Sequence, residues 1–311
     1  MLRRLIDSVD LVFDSGQLFR LGLDPRALAT ADHPLVTVSQ TPFGLEGERA
    51  DWLGGDLVCQ AMSGMIHIFG HRNERPARFG PEQASEMSGL AAALGAVVAL
   101  LGARRHGIGE FVDIAMERVG ALVSLQMSNA SMYDQFGFRR ERQSRADAGP
   151  GLYEALDGYV ALVAYRDPAL LRSLFEALGA SDEVCRLQEF PPDQLAGNPE
   201  IEAMVVRAVA RVPWQDISEA AQGLGILSLP VNDAAAMVAD PFLQQRAFFV
   251  DIEHPELDAA FVDAGTPMRF SASPYRISRR PPLLGEHNAE VYEALGVDTA
   301  QLATPRHDGV V

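Results

Sequence analysis

The sequence predicts an α/β protein: a parallel-sheet domain followed by a second, smaller α+β domain. Short β-branched runs alternate with helical segments over residues 1–135, the pattern of a parallel sheet covered by helices. A polar, Arg-rich stretch bounded by Gly and Pro at 136–150 interrupts this pattern and reads as a linker. Beyond it, two short strands and several helices form a separate block over 151–235, and residues 236–311 follow as a third segment.

Each element has its own signal. LRRLIDS is amphipathic, VDLVF is a short apolar strand, and SGQLFRLGLDPRAL is a turn leading into helix. LVTVSQTPFG is a β-branched run stopped by Pro42 and Gly44. A helix is expected over 54–69, and a small-residue helix runs from Ser85 towards His106, where Gly107 is a good terminator. FVDIAM is strand-like, and 117–135 continues as helix. GLYEALDGYVALVAY reads as a hairpin turning at Asp157-Gly158. Helices are expected near 167–179, 199–211 and 214–224, with GILSLPV as a short strand. A strand pair lies around FVDIEHP, and GEHNAEVYEALG is a last helix that Gly296 closes.

Composition excludes several functions. The net charge is −16, so the basic stripe that nucleic-acid binding needs is missing. All 26 basic residues are arginine, which excludes a Schiff-base or P-loop lysine. Any bound anion would meet guanidinium groups or backbone N–H groups. Cys59 and Cys185 are too few for a disulfide framework or a structural zinc site, so a cytoplasmic location is expected. The apolar run Leu90–Leu101 is shorter than the roughly 20 residues of a membrane span and reads as a buried helix.

Few residues suggest chemistry on their own. His67 and His71 stand i,i+4 but lack an acidic third ligand at useful spacing, so no metal is expected. Ser63-Gly64 and Ser88-Gly89 lack the flanking glycine of a nucleophile elbow and read as close helix packing. Gly54-Gly55-Asp56 is either a flexible cap or a helix start that receives an anion. Arg20 is a solvated side chain or a phosphate partner. Ser85 is a natural N-cap, and Glu86 is a carboxylate favoured in a first helical turn.

The order of motifs resembles the family III CoA-transferases, the group with formyl-CoA transferase and carnitine CoA-transferase. The matching segments include GQLFRLGLDP (16–25), LVTVSQTPFGLEGERADWLGGDLVCQAMSG (35–64) and GLAAALGAVVALLGARRHGIGEFVDIAMERVGAL (89–122). They continue through LYEALDGYVAL (152–162), GILSLPV (225–231), DPFLQQRAFF (240–249), GTPMRFSASP (265–274) and PLLGEHNAEVYEALG (282–296). The resemblance implies a nucleotide-binding-like sheet in the large domain and a return of residues 236–311 to that domain. It also implies an interlocked homodimer, and acyl-CoA and a carboxylic acid as substrates. Coenzyme A then enters as a thioester substrate and no tightly bound cofactor is needed. The implied CoA contacts are Val12, Phe13, Asp14 and Arg20, with Leu53, Gly54, Gly55 and Asp56 near the nucleotide end.

Two departures from the family pattern stand out. The opening βαβ segment that holds part of the CoA pocket has no counterpart, so the chain is expected to start midway through the large domain. The family's catalytic aspartate falls on Ser85, with Glu86 next to it. The family reaction passes through a mixed anhydride and an enzyme thioester, which needs a carboxylate. Glu86 is therefore the expected nucleophile. An alternative is a non-catalytic subunit or remnant that binds a full-length relative. A further alternative, an α-methylacyl-CoA racemase, lacks both bases, since they fall on Gly55 and Ser85.

Overall fold

A computed structural model of the chain describes residues 1–30, 32–70, 73–124, 150–163, 167–191 and 198–297. By its internal contacts the chain divides into two compact units, 1–147 and 148–311. The expected linker lies outside the described residues except at Pro150, which opens a strand.

The first unit is built on three parallel strands in the order β1 (Leu11–Asp14), β2 (Val36–Thr41) and β3 (Glu110–Ala115). Leu11 stands opposite Val36, and Val36 opposite Glu110. β2 is central, and Val36, Thr37, Val38 and Ser39 are all buried, so both faces of the strand are covered although valine alternates with threonine and serine. Short helices α1 (Leu2–Ile6) and α2 (Gln17–Arg20) flank β1. Ile6 and Leu18 pack there with Leu28 and Leu35.

The expected helix at 54–69 is two pieces. α3 covers Asp56–Met62, and a 3-10 turn covers Ile66–Ile68. The break falls at Gly64, whose φ of +82° a helix interior does not allow. α4 (Gln83–His106) then runs for 24 residues and ends at Gly107 in the left-handed conformation. α5 (Met116–Ser124) follows β3 directly, and the rest of the expected helix to 135 lies outside the described residues. The small residues at 63–64 do mark close packing: a Cβ on Gly120 of α5 would stand 2.7 Å from the Ser63 hydroxyl.

α4 is only half a buried helix, which corrects the sequence expectation. Ala84, Ser88, Ala92, Ala96, Ala99 and Ala103 form its buried face at i, i+4 and i, i+3 spacing. The alanines from 92 to 103 lie against Val36 and Val38, because a short side chain lets the helix approach the sheet closely. Leu90, Leu94, Val97, Val98 and Leu101 occupy the opposite face and are exposed. The helix is long and apolar enough to cross a membrane by length and composition.

The second unit holds an antiparallel sheet in the order β4 (Pro150–Ala155), β5 (Gly158–Val163) and β6 (Ser228–Pro230). The hairpin turns where the sequence places it, with Gly158 at φ +158°. Helices α6 (Pro168–Ala177), α7 (Ser181–Leu187), α8 (Pro199–Val209) and α9 (Trp214–Gly223) cover it. α7 is an addition to the expected set. α6 and α8 each start at a proline whose preceding Asp167 or Asn198 accepts a backbone N–H. Leu174, Phe175, Met204, Val209, Ile217 and Leu162 form the centre of the core. Glu183 of α7 binds Arg207 of α8 through two hydrogen bonds of 2.8 and 2.9 Å.

After β6 come α10 (Ala234–Ala239), α11 (Pro241–Gln245), the hairpin of β7 (Phe249–His254) and β8 (Ala259–Ala264), and α12 (Asn288–Ala294). This stretch buries little: α10, α11 and α12 have no buried residue, and all of β8 is exposed.

Candidate active site

Two adjoining cavities open at the carboxyl ends of the parallel strands, where open α/β sheets place their ligands. The first, of about 570 Å³, is lined by Arg20, Arg26, Thr41, Trp52 and Leu53, among others. The second, of about 530 Å³, holds Phe13, Asp14, Gln40, Gly55, Asp56, Glu82 and Ser85. Ser15, Pro42 and Gly54 line both. The folded chain thus gathers most of the residues singled out from the sequence: Phe13, Asp14, Gly54, Gly55, Asp56 and Ser85 in one cavity, Arg20 and Leu53 in the other.

Val12 is not part of this lining. It is half-buried against the Ile6–Leu18–Leu28–Leu35 cluster. Glu86 is exposed and lines neither cavity. It lies one residue along the helix from Ser85, which turns its side chain by about 100°.

In the first cavity the arginines differ in how far they are committed. Arg26 binds Asp24 at 2.9 Å and lies over the Phe19 ring. Arg49, behind the wall, binds Glu117 at 3.3 Å and covers Trp52. Arg20 has no ion pair among the described residues, so its guanidinium is the one available to an incoming anion. Its position depends on Asp14. That carboxylate accepts the N–H groups of Gln17 and Leu18 at 2.9 and 3.0 Å and the Ser39 hydroxyl at 3.1 Å. An acid at residue 14 therefore fixes the turn that carries Arg20.

Gly54 brings the chain hard against the cavity wall. A Cβ there would lie 2.5 Å from the Pro42 Cβ and 2.9 Å from the Phe43 ring. Gly55 is extended and precedes α3, and a Cβ on it meets nothing within 4 Å.

Asp56 is the structural centre of the second cavity. One carboxylate oxygen accepts the N–H groups of Ala84 and Ser85 at 2.8 and 3.1 Å. The other accepts the Gln60 amide at 2.7 Å and the Arg78 guanidinium at 2.9 Å. Burial pushes this carboxyl up, but Arg78, the two N–H groups and Gln60 outweigh burial and hold it below the usual aspartate value. Asp56 thus supplies from α3 the cap that the start of α4 lacks locally.

This corrects the reading of Ser85 as an N-cap. α4 begins at Gln83, and Ser85 already lies within its first turn. The Ser85 hydroxyl donates to Glu82 Oε2 at 3.2 Å. Its carbonyl accepts the Ser88 hydroxyl at 2.9 Å, and Ser88 in turn accepts the Gln40 amide at 2.7 Å. Glu82 precedes the helix at φ +55°, a left-handed conformation rare for a side chain of this kind. Gln40, Arg78 and Glu82 went unnoticed in the sequence. Only Gln40 carries a signal, as the one amide in a strand of valine, threonine and serine.

Among the described residues, no group of three or more His, Cys, Asp or Glu side chains is placed to hold a metal ion. His71 lies outside them.

The model of CoA-transferase family III matches residues 1–288. The chain belongs to CoA-transferase family III. The activity that goes with this family is movement of CoA between an acyl-CoA thioester and a carboxylic acid. The succinyl-CoA:(R)-benzylsuccinate CoA-transferase subunit BbsE of Thauera aromatica is 28% identical, over 95% of this chain and 75% of its own length. The succinate–glutarate CoA-transferase of Agrobacterium fabrum is also 28% identical, over 95% and 74%. A CAIB/BAIF family protein from Brucella suis superposes with a TM-score of 0.80 at 25% identity, covering 94% of this chain and 77% of that one. These family III relatives confirm the α/β fold and the CoA-transferase resemblance read from the sequence.

Proposed function

We propose that this family III chain takes CoA from the thioester of a dicarboxylic acid, succinyl-CoA first among them, and passes it to a second carboxylic acid. The observation that carries this is the pair of joined cavities, one offering Arg20, which has no ion pair among the described residues, and the other ending at Ser85 and Glu82. A CoA thioester has the same two ends: phosphates that suit a guanidinium and an acyl carbonyl that must meet a carboxylate. Two of the relatives named above carry succinyl or succinate in their names, which supports the donor. The test is exchange between succinyl-CoA and ¹³C-labelled succinate, read by mass spectrometry. Label entering succinyl-CoA is the expected result. Absence of exchange, or hydrolysis alone, sinks the reading.

The interlocked dimer, the return of residues 236–311 to the large domain and the cytoplasmic location belong to the same proposal. Support for the dimer comes from the exposed apolar face of α4 and from exposed Phe242, Phe261, Phe270 and Leu284 in the later segment. The unpaired thiols of Cys59 and Cys185 support a reducing compartment.

One observation favours a second reading, a subunit that works with a partner carrying the aspartate. The Thauera relative is itself named a subunit, and residue 85 here is serine. Exchange that appears only when a full-length relative is co-purified would replace the first reading by this one.

A further inference from the structure

The geometry points to Glu82, not Glu86, as the carboxylate that carries CoA in this chain, with the Ser85 hydroxyl as its hydrogen-bond donor. This rests on the transferase reading above and names the residue that performs it.

A serine ester cannot do the work. It has one acyl carbonyl, so returning thiolate attacks that carbonyl and only regenerates the donor thioester. A carboxylate forms an anhydride with two carbonyls, and thiolate attack on the enzyme's own carbonyl moves CoA onto the protein. A carboxylate must therefore reach the space beside Ser85.

Asp14, Asp56 and Glu82 are the acidic side chains that line the second cavity, and Asp14 is buried with its carboxylate accepting from Gln17, Leu18 and Ser39. Asp56 is buried and already accepts four hydrogen bonds, two of them from backbone N–H groups that start α4. Attack through Oδ1 would leave the Ala84 and Ser85 N–H groups without their acceptor, and attack through Oδ2 would do the same to Gln60 and Arg78. Glu86 lies outside the cavity. Glu82 lines it, and its Oε2 is 3.2 Å from the Ser85 hydroxyl. Its other carboxylate oxygen stands 3.6 Å from Arg78, a looser contact than the 2.9 Å that Arg78 makes with Asp56. The Glu82 side chain is 64% exposed, so no packing has to be broken for it to move. The left-handed backbone at residue 82 turns the chain abruptly into α4 and leaves this side chain at the cavity mouth.

The steps balance without an oxidant or a net proton. A Glu82 oxygen attacks the thioester carbonyl, the C–S bond breaks, and CoA leaves as thiolate. The thiolate attacks the Glu82 carbonyl of the anhydride, the C–O bond breaks, and the donor acid leaves as carboxylate. Glu82 now holds CoA as a thioester. The acceptor carboxylate attacks that thioester and expels thiolate. The thiolate then attacks the acceptor acyl carbonyl, which restores the Glu82 carboxylate.

The test traps the intermediate in the intact wild-type chain. The protein is incubated with succinyl-CoA, reduced with borohydride and digested, and the reduced residue is located by fragment-ion sequencing across Phe79–Arg104. A reduced side chain at Glu82 is expected, and Glu82→Gln is expected to lose label exchange to background. Reduction at Glu86 or elsewhere, with exchange intact, overturns the assignment and leaves the transferase reading standing. Retained exchange in Glu82→Gln does the same. Loss of exchange in the wild type removes both. Since the trapping needs no variant, a misfolded Glu82→Gln cannot obscure the outcome.

Discussion

Asp56→Ala is expected to lower the stability of the first unit by about 3 kcal/mol and to abolish CoA exchange. The side chain is 4% exposed, and its carboxylate accepts hydrogen bonds from Ala84, Ser85, Gln60 and Arg78. Alanine would leave the Gln60 amide, itself fully buried, without that acceptor, and would uncap α4. The ion-pair share is small, because the Arg78 side chain is 40% exposed and screened by water. Most of the loss comes from the buried N–H donors. Exchange fails for a related reason: the first turn of α4 holds both Ser85 and the entry from Glu82.

The same carboxylate sets a pH dependence. Its folded-state pKa is depressed, so its contribution is complete above about pH 4, the ordinary aspartate value, and disappears as pH falls through the folded value. Urea midpoints of wild type and Asp56→Ala should differ most at neutral pH and converge in acid. Equal midpoints at pH 7 would show that the four hydrogen bonds contribute nothing net.

Gly54→Val is expected to cost about 2 kcal/mol and to weaken acyl-CoA binding by a larger factor than the stability loss explains. The first added carbon already meets Pro42 at 2.5 Å and Phe43 at 2.9 Å. Phe43 is buried, so the 53–55 loop must give way instead, into the two cavities whose shared wall it forms. Gly55→Ala provides the contrast, since its new methyl meets nothing within 4 Å and should leave the unfolding midpoint in place. Thermal unfolding of both variants, with binding of succinyl-CoA followed by calorimetry, checks the pair. A Gly54→Val protein as stable as Gly55→Ala would contradict the packing argument.

Much of the framework was legible because its signals are local. The β-branched run at Val36–Thr41, the stop at Gly107 and the hairpin at Asp157-Gly158 each rest on a few neighbouring residues. The site was less legible because its contacts join distant positions. Asp56 meets Ala84 and Ser85 across 28 and 29 residues, and Gln40 meets Ser88 across 48. No periodicity records such pairings. Serine is a common N-cap, which drew attention to Ser85, while the acceptor that caps this helix comes from another element. The run Leu90–Leu101 misled for a different reason. Its apolar content is high on every side, so the sequence could not tell the alanine face on the sheet from the leucine face in the open.

Glu82 has a consequence for anyone who tries to make this protein more heat-resistant. A non-glycine residue at φ +55° costs on the order of 1 kcal/mol, and glycine would relieve it. A library selected for survival at high temperature should therefore enrich glycine at residue 82 and return robust proteins that no longer exchange CoA. In that sense the turn into α4 is a place where durability and turnover compete for one backbone position.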